Sequence, residues 1–219
     1  MRSRMLNHVL AQILIYQLKL TEYNKAQQKN IWLDERHTSL NKDLTIGVLG
    51  VGYLGKFIAN KLKSLDYNVI GYKNTISAAK YSIPIYYKKS LKTFLKLSDI
   101  IVSVLPATKE TRDLINKSFL NQMKKKSLLI NIGRGSSLNE MDLLKHIQQN
   151  NYFFASLDVF KKEPLPKNSK LWKNQNITVT PHVAAITDVD SSINYIFSKF
   201  EQFRTNGKIK SDVKIKNGY

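Results

Sequence analysis

One histidine in this chain stands where an imidazole could act on a bound molecule. His182 lies in the segment TVTPHVAA, after a run of β-branched residues and directly behind a proline. An imidazole exchanges a proton near neutral pH, so this residue could serve as a general acid. A lone histidine at a strand end is more often structural, so its companions decide between the two roles. The other three histidines, His8, His37 and His146, are predicted to be solvated or on helix surfaces, and their spacing predicts no metal site.

A glycine-rich segment could hold a phosphate group. Gly50, Gly52 and Gly55 form the pattern GVGYLG, between an apolar run and an amphipathic segment. In a strand–turn–helix unit the first glycine permits the tight turn, the second lets a pyrophosphate approach the backbone, and the third lets the helix pack against the strand. The positive end of the helix favours the anion. The pattern predicts a dinucleotide site, although a glycine turn without a ligand is the alternative.

The end of the next apolar run bears on which dinucleotide would bind. An acidic residue there bonds the ribose 2′-hydroxyl of NAD. In this chain Lys73 and Asn74 occupy the place, in VIGYKN. A lysine attracts a 2′-phosphate that a carboxylate would repel, so the sequence favours NADPH over NADH. NADH remains the alternative if Lys73 is one more surface lysine and the ribose is held otherwise.

Composition excludes several classes of function. The formal net charge is +19, but the 35 basic residues are mostly lysines scattered along the chain, and the chain has no cysteine. The longest basic run, Lys124 to Lys126, has no interleaved aromatic residues, so we predict no nucleic-acid partner. The apolar stretch VLAQILIYQLKL is short and interrupted by Gln12 and Gln17, which predicts no membrane span. We expect a cytoplasmic protein.

The hydrophobic pattern alternates between short apolar runs and amphipathic segments. A first helix is predicted from Leu6 to about Lys19, followed by a polar connection. Strands are then predicted at LTIGVLG, NVIGY, DIIVSVLP, SLLINIG, FFASLDVF and NITVTP. Helices are predicted at YLGKFIANKLKSL, SLKTFLKL, KSFLNQM, NEMDLLKHIQQ, with Asn139 as N-cap, and about 188–203. Strands that alternate with helices predict an α/β fold, a Rossmann-type doubly wound parallel sheet.

Several longer motifs occur in order along the chain. GVGYLG is followed by LPATKETRDLIN, LLINIGRGSSLNE, LDVFKKEPLP and LWKNQNITVTPHVAA. Together they resemble the D-isomer-specific 2-hydroxyacid dehydrogenases over nearly the whole chain. Within that family, the segments YNKAQQKNIW and VKIKNGY are most similar to the glyoxylate/hydroxypyruvate reductases.

The resemblance implies roles for particular residues. It places the catalytic arginine at Arg134, the glutamate at Glu163 and the histidine at His182. Beside the three glycines, it implies a cofactor site lined by Tyr53, Leu54, Lys73, Leu105, Pro106, Thr111, Ile132 and Gly133, with Asp158 near the nicotinamide.

These roles agree with elementary chemistry. Reduction of a 2-oxoacid puts a hydride on the carbonyl carbon and a proton on its oxygen. His182 can supply the proton, and a neighbouring Glu163 would favour the imidazolium. Arg134 offers a planar fork that binds a carboxylate and polarises the carbonyl. The expected substrate is therefore a small 2-oxoacid, glyoxylate or hydroxypyruvate.

The resemblance also predicts how the chain is divided. Residues 1–36 would be a crossover helix and connection left from a substrate domain, 37–187 the dinucleotide-binding domain, and 188–219 the return helix and tail of the substrate domain. Most of the N-terminal substrate-domain segment of the family would be missing. The first helix would then expose an apolar stripe unless it pairs with another chain, so we expect a homodimer.

Two functions remain open at this stage. The chain could be an NAD(P)H-dependent 2-oxoacid reductase, which the Arg134, Glu163 and His182 motifs favour. Alternatively it could be a nucleotide-binding remnant or sensor without turnover, because hydride transfer benefits from a closed, dry site and half of the cleft would be absent.

Overall fold

A computed structural model describes residues 2–34, 38–76, 80–185 and 189–209, apart from the side chain of residue 191. Strands and helices alternate through most of these residues. The strands are β1 (Thr45–Leu49), β2 (Asn68–Lys73), β3 (Ile85–Tyr87), β4 (Ile100–Ser103), β5 (Ser127–Asn131), β6 (Phe153–Leu157) and β7 (Ile177–Val179). The helices are α1 (Arg2–Gln17), α2 (Leu20–Gln27), α3 (Tyr53–Lys63), α4 (Leu91–Leu97), α5 (Lys117–Leu120), α6 (Glu140–Gln149) and α7 (Val189–Asn206).

The seven described strands form one parallel sheet in the order β3-β2-β1-β4-β5-β6-β7. The chain runs outwards from β1 to β3, then returns to continue on the other side with β4. The order therefore reverses between β1 and β4, which is where such sheets bind their ligands, beyond the carboxyl ends of the strands. The predicted α/β doubly wound fold is confirmed.

Each face of the sheet carries its own apolar core. Phe94, Leu129 and Phe153 belong to the core on one face, and Ile46, Val102 and Ile130 to the core on the other. All six residues are fully buried. Strand residues that are buried on both faces explain why the strands are apolar nearly throughout.

The first helix buries the centre of its apolar stripe, so the expectation of an exposed stripe was wrong for these residues. Met5, Val9 and Ile13 of α1 are 3%, 0% and 0% exposed and belong to the second core, packed with sheet and α3 residues. The chain's own sheet and α3 cover this part of the stripe, whereas Leu14 of the same helix is 40% exposed. The larger apolar surface lies on α7, where Ile196 and Phe197 are 65% and 63% exposed.

Two elements were not predicted from the sequence. The polar stretch after α1 contains α2, which is separated from α1 by Lys19 in the left-handed conformation, φ 54°. Its residues have little apolar periodicity, and Ala26 is its one buried residue. The short strand β3 pairs with β2 at the sheet edge, after Pro84. A three-residue strand leaves almost no alternation to detect.

Several predictions concern the ends of the chain. The boundaries proposed at 36/37 and 187/188 fall on residues outside those described, as do His37 and the end of the tail, 210–219. The domain division therefore stays a prediction. Asn139 does cap α6, with its side chain accepting a hydrogen bond from the Asp142 amide. Among the described helices, none is long and apolar enough to cross a membrane.

Candidate active site

The glycine loop joins β1 to α3 at the reversal point of the sheet. Gly50 has φ +100°, a conformation that side chains disfavour. A Cβ on Gly55 would lie 2.1 Å from the Gly50 carbonyl oxygen, so only glycine allows α3 to sit this close to the turn. A Cβ on Gly52 would meet nothing within 4 Å. The chain therefore leaves open space over Gly52, at the N-terminus of α3, where an anionic group can approach the backbone.

The next two residues of the loop differ in environment. Tyr53 is 72% exposed at the first position of α3, whereas Leu54 is half-buried and packs against the second core. The guanidinium carbon of Arg2 lies 5.1 Å from the Tyr53 ring centre and 5.0 Å from that of Phe57, so α1 brings a positive charge close to the loop.

The second strand delivers a lysine to the same end of the sheet. Lys73 is the last residue of β2, and its Nζ donates to the Tyr81 hydroxyl at 2.7 Å. Lys56 approaches the same ring, with its Nζ 5.5 Å from the ring centre. Two ammonium groups thus converge on Tyr81, and no acidic residue occupies the end of β2. The two positive charges would attract a phosphate group on the 2′ position of the ribose.

The loops after β4 and β5 pack against each other beside the glycine turn. Thr111 is 8% exposed, and its Oγ1 donates to the Pro106 carbonyl at 2.6 Å, which closes the loop that follows β4. Leu105 is 8% and Ile132 4% exposed. A Cβ on Gly133 would lie 2.6 Å from the Leu105 backbone, so glycine is required for this approach. The Leu105 side chain also lies 3.3 Å from the position of a Cβ on Gly50, so these packed loops adjoin the glycine turn.

The structure brings the predicted histidine and glutamate into contact. His182 Nδ1 lies 2.7 Å from Glu163 Oε2, and the other carboxylate oxygen of Glu163 accepts the Phe160 amide at 2.8 Å. An ionised carboxylate can only accept, so the imidazole donates from Nδ1. Its Nε2 is then the nitrogen that can exchange a proton with a substrate. The two side chains are 45% and 36% exposed, so the pair is open to solvent.

Charge at this pair keeps the glutamate ionised. Partial burial raises the pKa of Glu163, but hydrogen bonds from His182 and the Phe160 amide, with the charges of His182 and Arg134, outweigh it. The net pKa of the Glu163 carboxyl is therefore below its ordinary value. This carboxylate can hold and orient the imidazole at any pH near neutrality.

Arg134 is the exposed residue of an otherwise largely buried turn that follows β5. Its Nη1 donates to the Gly133 carbonyl at 2.8 Å, and its positive charge helps to lower the pKa of Glu163. The next residue, Gly135, packs against the Phe160 backbone so tightly that a Cβ would lie 1.9 Å from the Phe160 carbonyl carbon. This contact joins the Arg134 turn to the turn that carries Glu163. All three predicted catalytic residues thus lie at one end of the sheet.

Asp158 is buried and holds the loop that carries His182. It is 1% exposed. Its carboxylate accepts hydrogen bonds from the Thr180 hydroxyl, the Val183 amide and the Ala184 amide. The family resemblance implies that Asp158 lies near the nicotinamide, but it does not indicate these bonds, because they depend on a register between β6 and β7 that no local pattern specifies.

His8 and His146 lie on helices α1 and α6, as the helix-surface prediction allows, but neither ring is fully solvated. His8 and His146 are both half-buried, and each has an Nε2 atom that is buried without a hydrogen-bond partner among the described residues. Burial lowers the pKa of both rings, and for His8 the charge of Asp158 acts in the opposite direction. His146 also packs edge-on against Phe153, at 4.7 Å between ring centres.

The fold and the glycine loop together define a dinucleotide-binding α/β protein of the Rossmann type. The family model of the D-isomer specific 2-hydroxyacid dehydrogenase, NAD binding domain, matches residues 10–184. The chain belongs to this family, so the predicted kinship with nicotinamide-dependent 2-hydroxyacid dehydrogenases is confirmed. Within the described residues, no group of three or more histidine, aspartate or glutamate side chains could hold a metal ion.

Individual relatives agree with this placement. The chain is 36% identical over all 219 residues to a glyoxylate/hydroxypyruvate reductase A from Photorhabdus laumondii, and covers 70% of that protein. It is 30% identical to the protein of the same name from Yersinia enterocolitica, again covering 70% of it.

Solved structures give the same result. An NADPH-dependent glyoxylate/hydroxypyruvate reductase from Sinorhizobium meliloti, in complex with NADP and sulfate, superposes with a TM-score of 0.92 at 30% identity; the match covers 99% of this chain and 70% of that one. A D-isomer specific 2-hydroxyacid dehydrogenase from Xanthobacter autotrophicus, in complex with NADPH and MES, gives 0.91 at 30% identity, and the match covers all of this chain and 90% of that one.

Proposed function

We propose that this chain binds NADPH and reduces a small 2-oxoacid, glyoxylate or hydroxypyruvate, to the 2-hydroxyacid. The observation that carries the proposal is the 2.7 Å contact between His182 Nδ1 and Glu163 Oε2 at the ligand-binding end of the sheet. It leaves the imidazole Nε2 to protonate the substrate oxygen. Arg134, whose charge also lowers the pKa of Glu163, would bind the carboxylate of the substrate and polarise the substrate carbonyl.

The cofactor site would be built from the glycine loop and its neighbours. The pyrophosphate would lie over Gly52, between Gly50 and Gly55, with Tyr53 and Leu54 at the start of α3. The rest of the cofactor would lie along Leu105, Pro106, Thr111, Ile132 and Gly133 towards Asp158. When bound, NADPH supplies the hydride, and the residues of this chain hold its ring beside the proton donor.

Selection of NADPH would depend on Lys73. Its ammonium lies at the end of β2, held by the Tyr81 hydroxyl, where a ribose 2′-phosphate is expected. The solved relatives from Sinorhizobium and Xanthobacter were obtained with NADP and NADPH, which supports the same cofactor here. NADH would bind the same loop without the contact to Lys73.

A second candidate is a nucleotide-binding protein without turnover. The exposure of His182 and Glu163, 45% and 36% of their side chains, favours it, because an open site positions substrate poorly and exposes the reaction to water. Both candidates require NADPH binding, but only the reductase transfers the hydride of NADPH to a 2-oxoacid.

One experiment separates them. Purified protein is titrated with NADPH and NADH by fluorescence and then mixed with a panel of 2-oxoacids while the reduced-nicotinamide absorbance is followed. The reductase proposal predicts NADPH binding and loss of absorbance with glyoxylate or hydroxypyruvate. NADPH binding with no loss of absorbance for any 2-oxoacid would favour the second candidate, and absence of binding would contradict both.

We also propose a homodimer. The support is the apolar surface of α7, on which Ile196, Phe197 and Phe200 are 65%, 63% and 56% exposed, since patches of this kind mark interfaces. Light scattering on the purified chain should give twice the chain mass. Phe197→Glu should lower it, and a monomer for the unmodified chain at all concentrations would contradict the proposal.

A further inference from the structure

The loop that carries His182 depends on a single buried carboxylate. Asp158 follows β6 directly and is 1% exposed. Its Oδ1 accepts from the Thr180 hydroxyl at 2.6 Å and the Val183 amide at 2.9 Å, and its Oδ2 accepts from the Ala184 amide at 2.9 Å. Its backbone carbonyl accepts the His182 amide at 2.9 Å. Residues on both sides of the histidine, and the histidine itself, are therefore bonded to one aspartate.

The loop needs such support because of the conformation of His182. Its φ is +54°, in the left-handed region that residues with a Cβ rarely adopt. A residue persists there when the surrounding structure fixes the backbone. Residues 180–185 belong to no helix or strand. Backbone bonds from the Thr180 amide to the Leu157 carbonyl and from the His182 amide to the Asp158 carbonyl continue the pairing of β6 with β7 as far as the histidine. Beyond it, the amides of Val183 and Ala184 are bonded by the Asp158 carboxylate. The side chain of Glu163 orients the ring of His182, but it does not bond the loop backbone.

We infer that Asp158 is a positioning residue for His182, and that Thr180 belongs to the same clamp. The aspartate fixes the backbone of residues 180–184, and this places the imidazole where Glu163 can hold its Nδ1. The inference rests on the proposed role of His182 as proton donor, and adds to it the residues that hold the donor in place. It differs from a role for Asp158 as a ligand of the nicotinamide alone, in which Thr180 would have no part in the chemistry.

The chemistry of the clamp indicates which variants to use. In Asp158→Asn, the amide nitrogen would face either the Val183 or the Ala184 backbone amide, so one donor would oppose another. Thr180→Val is milder: it keeps the shape and the carboxylate, and removes one hydrogen bond. Thr180→Ser keeps the hydroxyl and is the matched control. Thermal unfolding checks that all three variants are folded.

Two measurements test the inference. We expect Thr180→Val to lower kcat about ten-fold while the Kd for NADPH stays within two-fold, and Thr180→Ser to restore kcat to within two-fold of the unmodified protein. Two-bond proton–nitrogen spectra of the histidine rings form the second arm. With four histidines in the chain, His182→Asn assigns the His182 signals. They should report the Nδ1–H tautomer in the unmodified protein and in Thr180→Ser, and a shift towards the Nε2–H tautomer in Thr180→Val and Asp158→Asn.

The inference fails if Thr180→Val leaves both kcat and the tautomer unchanged, or if it weakens NADPH binding with kcat and tautomer intact. The spectra need no turnover. If the chain reduced no 2-oxoacid, the proposed function would fail, and the tautomer of His182 in these variants would still decide whether Asp158 and Thr180 position the ring.

Discussion

Removing the charge of Glu163 should impair the reaction by a predictable amount. In Glu163→Gln, the Gln oxygen can still accept the Phe160 amide, and its amide group then faces His182 Nδ1. Two donors would oppose each other, so the imidazole must give up the proton on Nδ1. The ring can still be oriented, with Nδ1 accepting from the Gln amide, but it is held as the Nε2–H tautomer and loses the carboxylate that stabilises the imidazolium.

The size of the effect follows from the contact and its exposure. A charge-assisted hydrogen bond contributes about 1.5 to 3 kcal/mol when well shielded. Both side chains here are more than a third exposed, so solvent screening reduces the contribution to about 1 to 2 kcal/mol. If the whole of this free energy is lost from the transition state, kcat falls roughly 5- to 30-fold.

The assay is steady-state NADPH oxidation with glyoxylate between pH 5 and pH 9. The loss in kcat should appear across this range, because the pKa of Glu163 is lowered and the carboxylate of the unmodified protein stays ionised throughout. Glu201→Gln, on exposed α7 beside Arg204, is the control and should have no effect. A kcat for Glu163→Gln within two-fold of the unmodified protein at every pH would refute the assignment of Glu163 as the partner of His182.

Three further predictions address the cofactor site and stability. Lys73→Asp should lower NADPH affinity roughly 10- to 150-fold and favour NADH, because one charge-assisted contact of about 1.5 to 3 kcal/mol is lost. Lys61→Asp on α3 is the control. Equal losses of affinity for both cofactors in a fluorescence titration would contradict the role of Lys73. Gly52→Val should block NADPH binding without unfolding the chain, since no atom lies within 4 Å of its Cβ position. Gly55→Val should destabilise the fold, because its Cβ would lie 2.1 Å from the Gly50 carbonyl oxygen. Calorimetric binding of NADPH and thermal unfolding distinguish the two variants. Because burial lowers the pKa of His146 below about 6.5 in the folded state, the unfolded chain binds more protons, and the free energy of unfolding should fall as pH drops below 6.5. His146→Gln should reduce that slope in urea unfolding, and an unchanged slope would show that His146 does not contribute.

The sequence predicts most of the fold because the sheet strands are apolar on both faces and the helices between them are amphipathic. Elements with a strong pattern, such as β1, α3 and α6, were located to within a few residues. The helix α2 was missed because it is short and polar and buries only Ala26. The apolar stripe of α1 was visible in the sequence, but what covers it was not, because the sheet face that receives it is assembled from distant strands.

For the candidate site, the sequence gives residue types and the structure gives their contacts. The motifs place Arg134, Glu163 and His182 after strands of one parallel sheet, which brings them to the same edge. They do not specify that Glu163 bonds Nδ1 of His182, or that Asp158 holds residues on both sides of it. These contacts depend on the pairing of β6 with β7 and on turns without periodicity, so no spacing rule could predict them.

In the proposed reaction, His182 protonates a 2-oxoacid beside NADPH held by the glycine loop. The most direct test is a single-turnover measurement of NADPH oxidation by glyoxylate, with the unmodified protein and His182→Asn at equal cofactor saturation. A general acid contributes typically 10²- to 10⁴-fold, so we predict a decrease of about that size in the rate constant with an unchanged Kd for NADPH. Equal rate constants for the two proteins, or a loss explained entirely by weaker NADPH binding, would contradict the claim.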